Sequence, residues 1–252
     1  HFEILLRMVD RAGNTIGPER FLSAAMRYQM MRTIDRWVLG ETVRMLQPHA
    51  DILADSPIVF AINFSGQSIG DEGFADFVIQ SVESSGLDPG VFCFELTESA
   101  AVASIEATES LMRRLRKLGC EVALDDFGTG QSSLAYLRRL PVDILKIDGS
   151  FVRDVLKDPR AESMVRAIAQ LARSMGIVTV AEYVETDEIY RSVVELGVDY
   201  GQGFAIGRPK PFTEILEELP MLAAARPIHV MEPDLTAAGQ SLGEHHARRI
   251  TH

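Results

Sequence analysis

The chain of 252 residues reads as an α/β protein, most simply a (β/α)8 barrel, on three observations. Short apolar runs rich in β-branched residues alternate with segments of helical period, the pattern of βα units around a mainly parallel sheet. About seven such units fit a length of roughly 250 residues, the size of a barrel. Strand candidate after strand candidate ends in a carboxylate, amide or amine, at the end where barrels place their active sites. An open doubly wound sheet shares the first two properties, because periodicity does not distinguish closure from openness.

Taken in order, strands are expected at Phe2–Met8, Ile58–Phe64, Val91–Leu96, Glu121–Leu124, Ile144–Ile147, Ile177–Ala181 and Tyr200–Phe204. Helices are expected between them at Pro18–Tyr28, Met30–Leu46, Ser68–Ser85, Ala100–Leu118, Ser132–Leu140, Arg160–Met175 and Asp187–Leu196. Pro18 suits a first helical turn, and Gly176 and Gly197 suit the stop position that requires positive φ. Residues 1–220 contain no low-complexity linker and read as one domain, followed over 221–252 by a helix end (Met221–Ala225) and a polar tail. Four of the six histidines (His229, His245, His246, His252) fall in that tail, without the paired spacing of a metal site. The chain opens in strand-like sequence at His1, so an upstream segment is expected in the natural protein.

Composition narrows the function. With 46% apolar and 24% charged residues the chain is ordinary globular material. The net charge of −11 argues against DNA or RNA polymers and against docking on an anionic membrane surface. No stretch reaches the roughly 18 uninterrupted apolar residues of a membrane span. Cys93 and Cys120 sit in apolar runs as buried thiols, which fits a reducing cytoplasm.

The strand ends carry the chemistry. Glu3 lies in the first strand, Asn63 ends the second, Glu95 the third, and Asp125 and Asp126 the fourth; Lys146, Glu182 and Gln202 mark the last three. A charge at a buried strand end costs several kcal/mol unless it is paired or binds metal. Glu3, Asn63, Glu95, Asp125 and Asp126 are hard oxygen donors, suited to Mg²⁺ or Mn²⁺ rather than structural zinc. The adjacent aspartates can serve two cations about 3.5–4 Å apart, the spacing that clamps a phosphoryl displacement. Lys146 can neutralise transition-state charge or pair with an aspartate as a buried ion pair. Gly128 and Gly130 then let the segment Asp125–Leu134 turn sharply, and Ser132 or Ser133 would cap the next helix. No Gly-Lys-Ser/Thr follows, so it is not a nucleotide P-loop.

In this order the segments Glu3-Ile4-Leu5-Leu6-Arg7, Asn63-Phe64-Ser65, Phe94-Glu95-Leu96-Thr97-Glu98, Asp125 to Leu134, Leu145-Lys146-Ile147-Asp148, Ala181-Glu182-Tyr183-Val184-Glu185-Thr186 and Asp199-Tyr200-Gly201-Gln202-Gly203 resemble the EAL-domain family of cyclic-di-GMP phosphodiesterases. The resemblance covers residues 2 to about 212. It implies a modified TIM barrel with one antiparallel strand, and the family's preceding strand is not in the sequence given. It also implies metal-dependent hydrolysis of cyclic-di-GMP to linear pGpG. Glu3, Asn63, Glu95, Asp125 and Asp126 would hold two Mg²⁺ or Mn²⁺ ions. Lys146, Glu182, Glu185 and Gln202 would form the catalytic set, and Leu5 and Arg7 would contact substrate. Glu98 would support the loop of Gly128, Thr129 and Gly130, near a homodimer contact. Upstream sensory or GGDEF domains are usual in the family, and such segments could anchor an otherwise cytoplasmic protein to the membrane.

Two departures stand out: Ile4 replaces alanine, and Tyr183 replaces a glycine beside Glu182. A degenerate EAL module that binds cyclic-di-GMP without cleaving it is the alternative. Such modules lose ligands or the catalytic Glu and Lys, all of which are present here. An enolase-type barrel would also combine acidic ligands with a lysine, but it predicts a capping domain and does not account for the paired aspartates.

Overall fold

The computed structural model describes residues 1–129 and 134–224. Gly130, the two candidate capping serines Ser132 and Ser133, and the tail from 225 with its four histidines lie outside the described residues.

The strands are β1 (Phe2–Glu3), β2 (Met8–Val9), β3 (Thr15–Ile16), β4 (Phe60–Phe64), β5 (Phe92–Thr97), β6 (Glu121–Phe127), β7 (Ile144–Ile147), β8 (Val178–Ala181) and β9 (Tyr200–Gly201). Seven form one sheet in the order β1-β4-β5-β6-β7-β8-β9, and every neighbouring pair is parallel. The expected antiparallel strand is not among the seven; antiparallel pairing occurs only in the separate β2–β3 hairpin among the described residues. β1 and β9 share no ladder there, so the sheet is a curled half-barrel, a variant of the TIM barrel.

Helices connect the strands: α1 (Pro18–Arg27), α2 (Met31–Leu46), α3 (Ala50–Ala54), α4 (Gly66–Ile69), α5 (Phe74–Glu83), α6 (Glu98–Ala103), α7 (Ile105–Leu118), α8 (Leu134–Leu137), α9 (Gly149–Asp154), α10 (Pro159–Met175), α11 (Asp187–Glu195) and α12 (Phe212–Ala224). Several expected elements are interrupted for local reasons. The helix expected over Ser68–Ser85 splits into α4 and α5, because Gly73 adopts φ +83 between them. That expected over Ala100–Leu118 starts earlier, at a Thr97 cap, and breaks at Ser104. The strand expected to reach Phe204 stops at Gly201; at Gly203, with φ +155, a side chain would collide with the Val184 backbone.

Strand alternation divides the sheet residues between an outward and an inward face. Phe60, Ile62, Phe64, Phe92, Phe94, Leu96, Val122, Leu124 and Leu145 point outward into the main core with the helices. The intervening residues Ala61, Cys93, Ala123, Ile144 and Val180, with Val59, form a small inner floor that Tyr200 packs against. Two positions further along the same strands stand Asn63, Glu95, Asp125, Lys146, Glu182 and Gln202. The floor supports a polar layer at the mouth. Both cysteines are free and buried, and no helix of the described residues is long and apolar enough to cross a membrane.

Candidate active site at the mouth of the half-barrel

Lys146 is the centre of the polar layer. Its side chain is 2% exposed, and its Nζ lies 2.9 Å from Glu95 Oε2, 3.1 Å from Glu182 Oε1, 3.3 Å from Asp125 Oδ1 and 3.6 Å from Glu3 Oε2. Five strands therefore deliver one cation and four carboxylates to one point. Burial by itself would lower the lysine pKa, but Glu95, Glu3, Asp125 and Glu182 outweigh it and hold the ammonium well above its usual range.

One cation does not balance these acids. Burial, partly offset by Lys146 and reinforced by Glu3 and Asp125, pushes Glu95 up to about 7. Burial, again opposed by Lys146 and aided by Asp125, pushes Glu182 up to about 8. Burial together with the charges of Asp125 and Asp148 raises Asp126 to about 6. This is an anionic site short of positive charge, as expected of hard oxygen donors arranged for divalent cations.

The paired aspartates owe their common direction to a defect in the sheet. On a regular strand, Asp125 and Asp126 would point to opposite faces. The β6–β7 register shifts between Leu124 and Phe127, and Asp126 takes φ +55, a left-handed conformation that a short polar side chain tolerates. The Asp126 amide donates to Asp125 Oδ1 at 3.0 Å, and its carbonyl accepts from Thr129 Oγ1 at 3.0 Å. One ligand atom from each of Asp125, Asp126 and Glu182 then falls within 4.8 Å of the others, a possible acidic metal site.

The remaining expected residues divide into those drawn in and those left outside. Glu3 Oε1 accepts from Asn63 Nδ2 at 2.7 Å and its Oε2 from Gln202 Nε2 at 2.5 Å. Glu98 is buried; its Oε2 accepts from the Gly128 amide at 2.9 Å and its Oε1 from the Tyr136 hydroxyl at 2.6 Å. Gly128 has φ +104, and a Cβ there would meet Phe151 at 2.8 Å, so the loop requires glycine at this point. Leu5 is 44% exposed, and Arg7 is exposed with its Nη1 donating to the Leu6 carbonyl. Glu185 is exposed and makes no ion pair among the described residues.

Tyr183 does not crowd Glu182. It adopts φ +52, and its half-exposed ring lies on Gly149, with the Arg153 guanidinium 4.5 Å above it. Sequence reasoning missed Asp35, which is buried on α2 beneath the β4 end. A signal existed: Met31, Asp35, Leu39, Thr42, Val43 and Leu46 form one stripe at helical spacing, with a carboxylate among apolar neighbours.

A curled parallel sheet with lysine and carboxylates at its strand ends defines the class, an α/β barrel variant with an acidic centre at its mouth. The chain belongs to the EAL-domain cyclic-di-GMP phosphodiesterase family: the EAL domain profile matches residues 1–209. It is 38% identical over 224 residues to the cyclic di-GMP phosphodiesterase PdeB of Shewanella oneidensis, covering 89% of this chain and 26% of that protein. It is 38% identical over 220 residues to PdeF of Escherichia coli, covering 87% of this chain and 29% of that protein. The chain thus spans only between a quarter and a third of these relatives. Among solved structures it resembles the PaMucR phosphodiesterase in complex with c-di-GMP, with TM-score 0.76, 34% identity and coverage of 84% and 86% of the two chains. The FimX EAL domain of Pseudomonas aeruginosa, also bound to c-di-GMP, matches with TM-score 0.75, 25% identity and coverage of 82% and 83%.

Proposed function

We propose that this domain is a metal-dependent phosphodiesterase that hydrolyses cyclic-di-GMP to linear pGpG. The observation that carries the reading is the convergence of Glu3, Glu95, Asp125 and Glu182 on Lys146, with Asp126 turned to the same side by the bulge. The names of the relatives, and the ligand of the PaMucR complex, support the substrate.

Mg²⁺ or Mn²⁺ ions, bound in a pair, would offset the acidic excess and lower the pKa of a coordinated water. Glu3, Asn63, Glu95, Asp125 and Asp126 would hold them. Glu182 would accept at a carboxylate oxygen the proton of the attacking water once the cations hold it ionised. Lys146 orients that carboxylate and steadies charge gathering on the phosphate oxygens. A water oxygen–phosphorus bond forms, one ring phosphodiester bond breaks, and the departing sugar oxygen takes up a proton. Gln202 holds Glu3, and Leu5 and Arg7 would contact the substrate. Glu185, outside the cluster, would act from the rim.

The greater length of the relatives, including the bifunctional diguanylate cyclase/phosphodiesterase MucR of Pseudomonas aeruginosa, supports a further sensory or GGDEF domain in the full-length protein, and the family resemblance alone suggests a homodimer. Free buried thiols and an intracellular second messenger as substrate support a cytoplasmic site of action.

The test is incubation of the purified chain with cyclic-di-GMP and Mg²⁺ or Mn²⁺, with products resolved by chromatography. Metal-dependent appearance of pGpG is expected. Binding without cleavage would overturn the enzyme and make the domain a cyclic-di-GMP receptor.

A further inference from the structure

Asp35 is 4% exposed on α2 and carries no ion pair among the described residues. A buried carboxylate without a cation costs several kcal/mol unless donors surround it. Three do, all at Oδ2: the Ser65 amide at 2.8 Å, the Ser65 hydroxyl at 2.7 Å and the Ser68 hydroxyl at 2.7 Å. Ser65 in turn caps α4, its hydroxyl accepting from the Ser68 amide at 3.3 Å.

This knot sits where β4 leaves the sheet. Ser65 follows Phe64, which follows Asn63, and the Asn63 Nδ2 donates to Glu3 Oε1. The Asn63 Oδ1 accepts no hydrogen bond among the described residues, so the amide offers it as a ligand. A neutral cap at α4 would need only the Ser65 hydroxyl. Fixing the strand end to α2 needs an acceptor on the helix that takes both the Ser65 amide and its hydroxyl, and charged acceptors make the stronger bonds.

We propose that Asp35 is a positioning residue for the metal centre: through Ser65 it fixes the end of β4, and so holds the Asn63 amide oxygen in place to bind a divalent cation. The inference rests on the metal-dependent reading above and adds to it a residue remote from the reacting atoms. Outer partners of this kind typically change metal affinity by about 10–100-fold when removed.

The experiment is Mn²⁺ binding by the chain without substrate, followed by the electron paramagnetic resonance signal of free Mn²⁺, with circular dichroism and thermal melting alongside. Asp35→Leu removes the acceptor and is expected to weaken Mn²⁺ binding at least about 10-fold. Asp35→Asn keeps one oxygen for the three donors and is expected to stay within about 3-fold of the parent. If Asp35→Leu does not fold, the double variant Ser65→Ala/Ser68→Ala leaves Asp35 only the backbone donor, and its binding is expected to weaken several-fold. A folded Leu or double-Ala variant that binds Mn²⁺ like the parent overturns the proposal. So does an Asn variant as weak as the Leu variant. A parent chain that binds Mn²⁺ but releases no pGpG overturns the hydrolase reading alone. A parent that binds no Mn²⁺ overturns both.

Discussion

The Gln202 side chain donates to Glu3 Oε2 across 2.5 Å, although 199 positions separate the two residues. They belong to opposite ends of the seven-stranded sheet, whose edge strands share no ladder among the described residues. A side-chain bond therefore closes at the mouth a ring that the backbone leaves open. Glu3→Ala leaves the Asn63 and Gln202 amides without their acceptor and removes a proposed metal ligand. Hydrolysis should fall at least about 10²-fold, while the melting temperature stays near that of the parent. Retained turnover in a chromatographic assay would remove Glu3 from the metal set.

Asp126→Asn should separate chemistry from folding. Asparagine tolerates the left-handed backbone that the bulge imposes, so the variant should melt like the parent. With one charge gone from the cluster of Asp125, Asp126 and Glu182, pGpG formation should drop by about 10²-fold or more. Asp126→Ala places a Cβ without a local hydrogen-bonding group in the same conformation and should cost a further 1 kcal/mol or so of stability.

The raised carboxylates predict an unusual pH dependence for the metal-free protein. Glu95, Glu182 and Asp126 have pKa values of about 7, 8 and 6, above the 4.5, 4.5 and 3.8 of the free side chains. The folded state binds more protons than the unfolded one between those limits, so their contribution to stability is full below the unfolded values and is lost as pH rises through the folded ones. Melting of chelator-treated protein should fall from pH 5.5 to 8.5. Because ligands must be deprotonated, the gain in melting temperature from added Mn²⁺ should grow over the same interval. A pH-independent gain would refute the assignment.

Lys146→Met tests how the cluster is held together. Removing one partner of a buried ion pair costs about 3–5 kcal/mol, and here four carboxylates lose their common cation. The metal-free variant should be destabilised by that order at pH 8. It should recover much of the loss near pH 5, where the acids protonate. Denaturant titrations at the two pH values measure both.

Tyr183 and Gly149 form a coupled pair. A Cβ on Gly149 would collide with the Tyr183 ring, so Gly149→Ala should cost about 1–3 kcal/mol by displacing it. In a Tyr183→Gly background the same change should be close to neutral, and a double-mutant cycle reads the difference. Tyr183→Gly alone also relieves the positive φ while losing the Arg153 contact, so its own effect should be small.

Seven strands are legible as short apolar β-branched runs, although the one expected over Phe2–Met8 shrinks to Phe2–Glu3 with Met8–Val9 in a separate hairpin, and the strand-end residues that meet at Lys146 follow from position alone. What escaped depends on long-range geometry. Nothing local shows that Asp126 breaks alternation, since the register shift is defined only against β7. Nothing local shows that the Tyr183 ring turns away from Glu182, because its destination, Gly149, lies 34 positions upstream. The antiparallel strand was inferred from kinship rather than from residues, and the sheet does not contain it. α9 was missed because six residues are too few for a helical period, although Asp148 caps it through the Ser150 amide. Asp35 was passed over because a charged residue on a helix ordinarily faces water.

The inner floor and outward core have an evolutionary consequence. Along β4, β5 and β6, alternate residues serve the helices, and the residues between them serve the mouth, so folding instructions and chemical instructions are interleaved letter by letter. Substituting a mouth residue on these three strands leaves the outward contacts with the helices in place. A lineage carrying this scaffold could therefore exchange a catalyst for a listener in a few mutations, without having to invent a new way to fold.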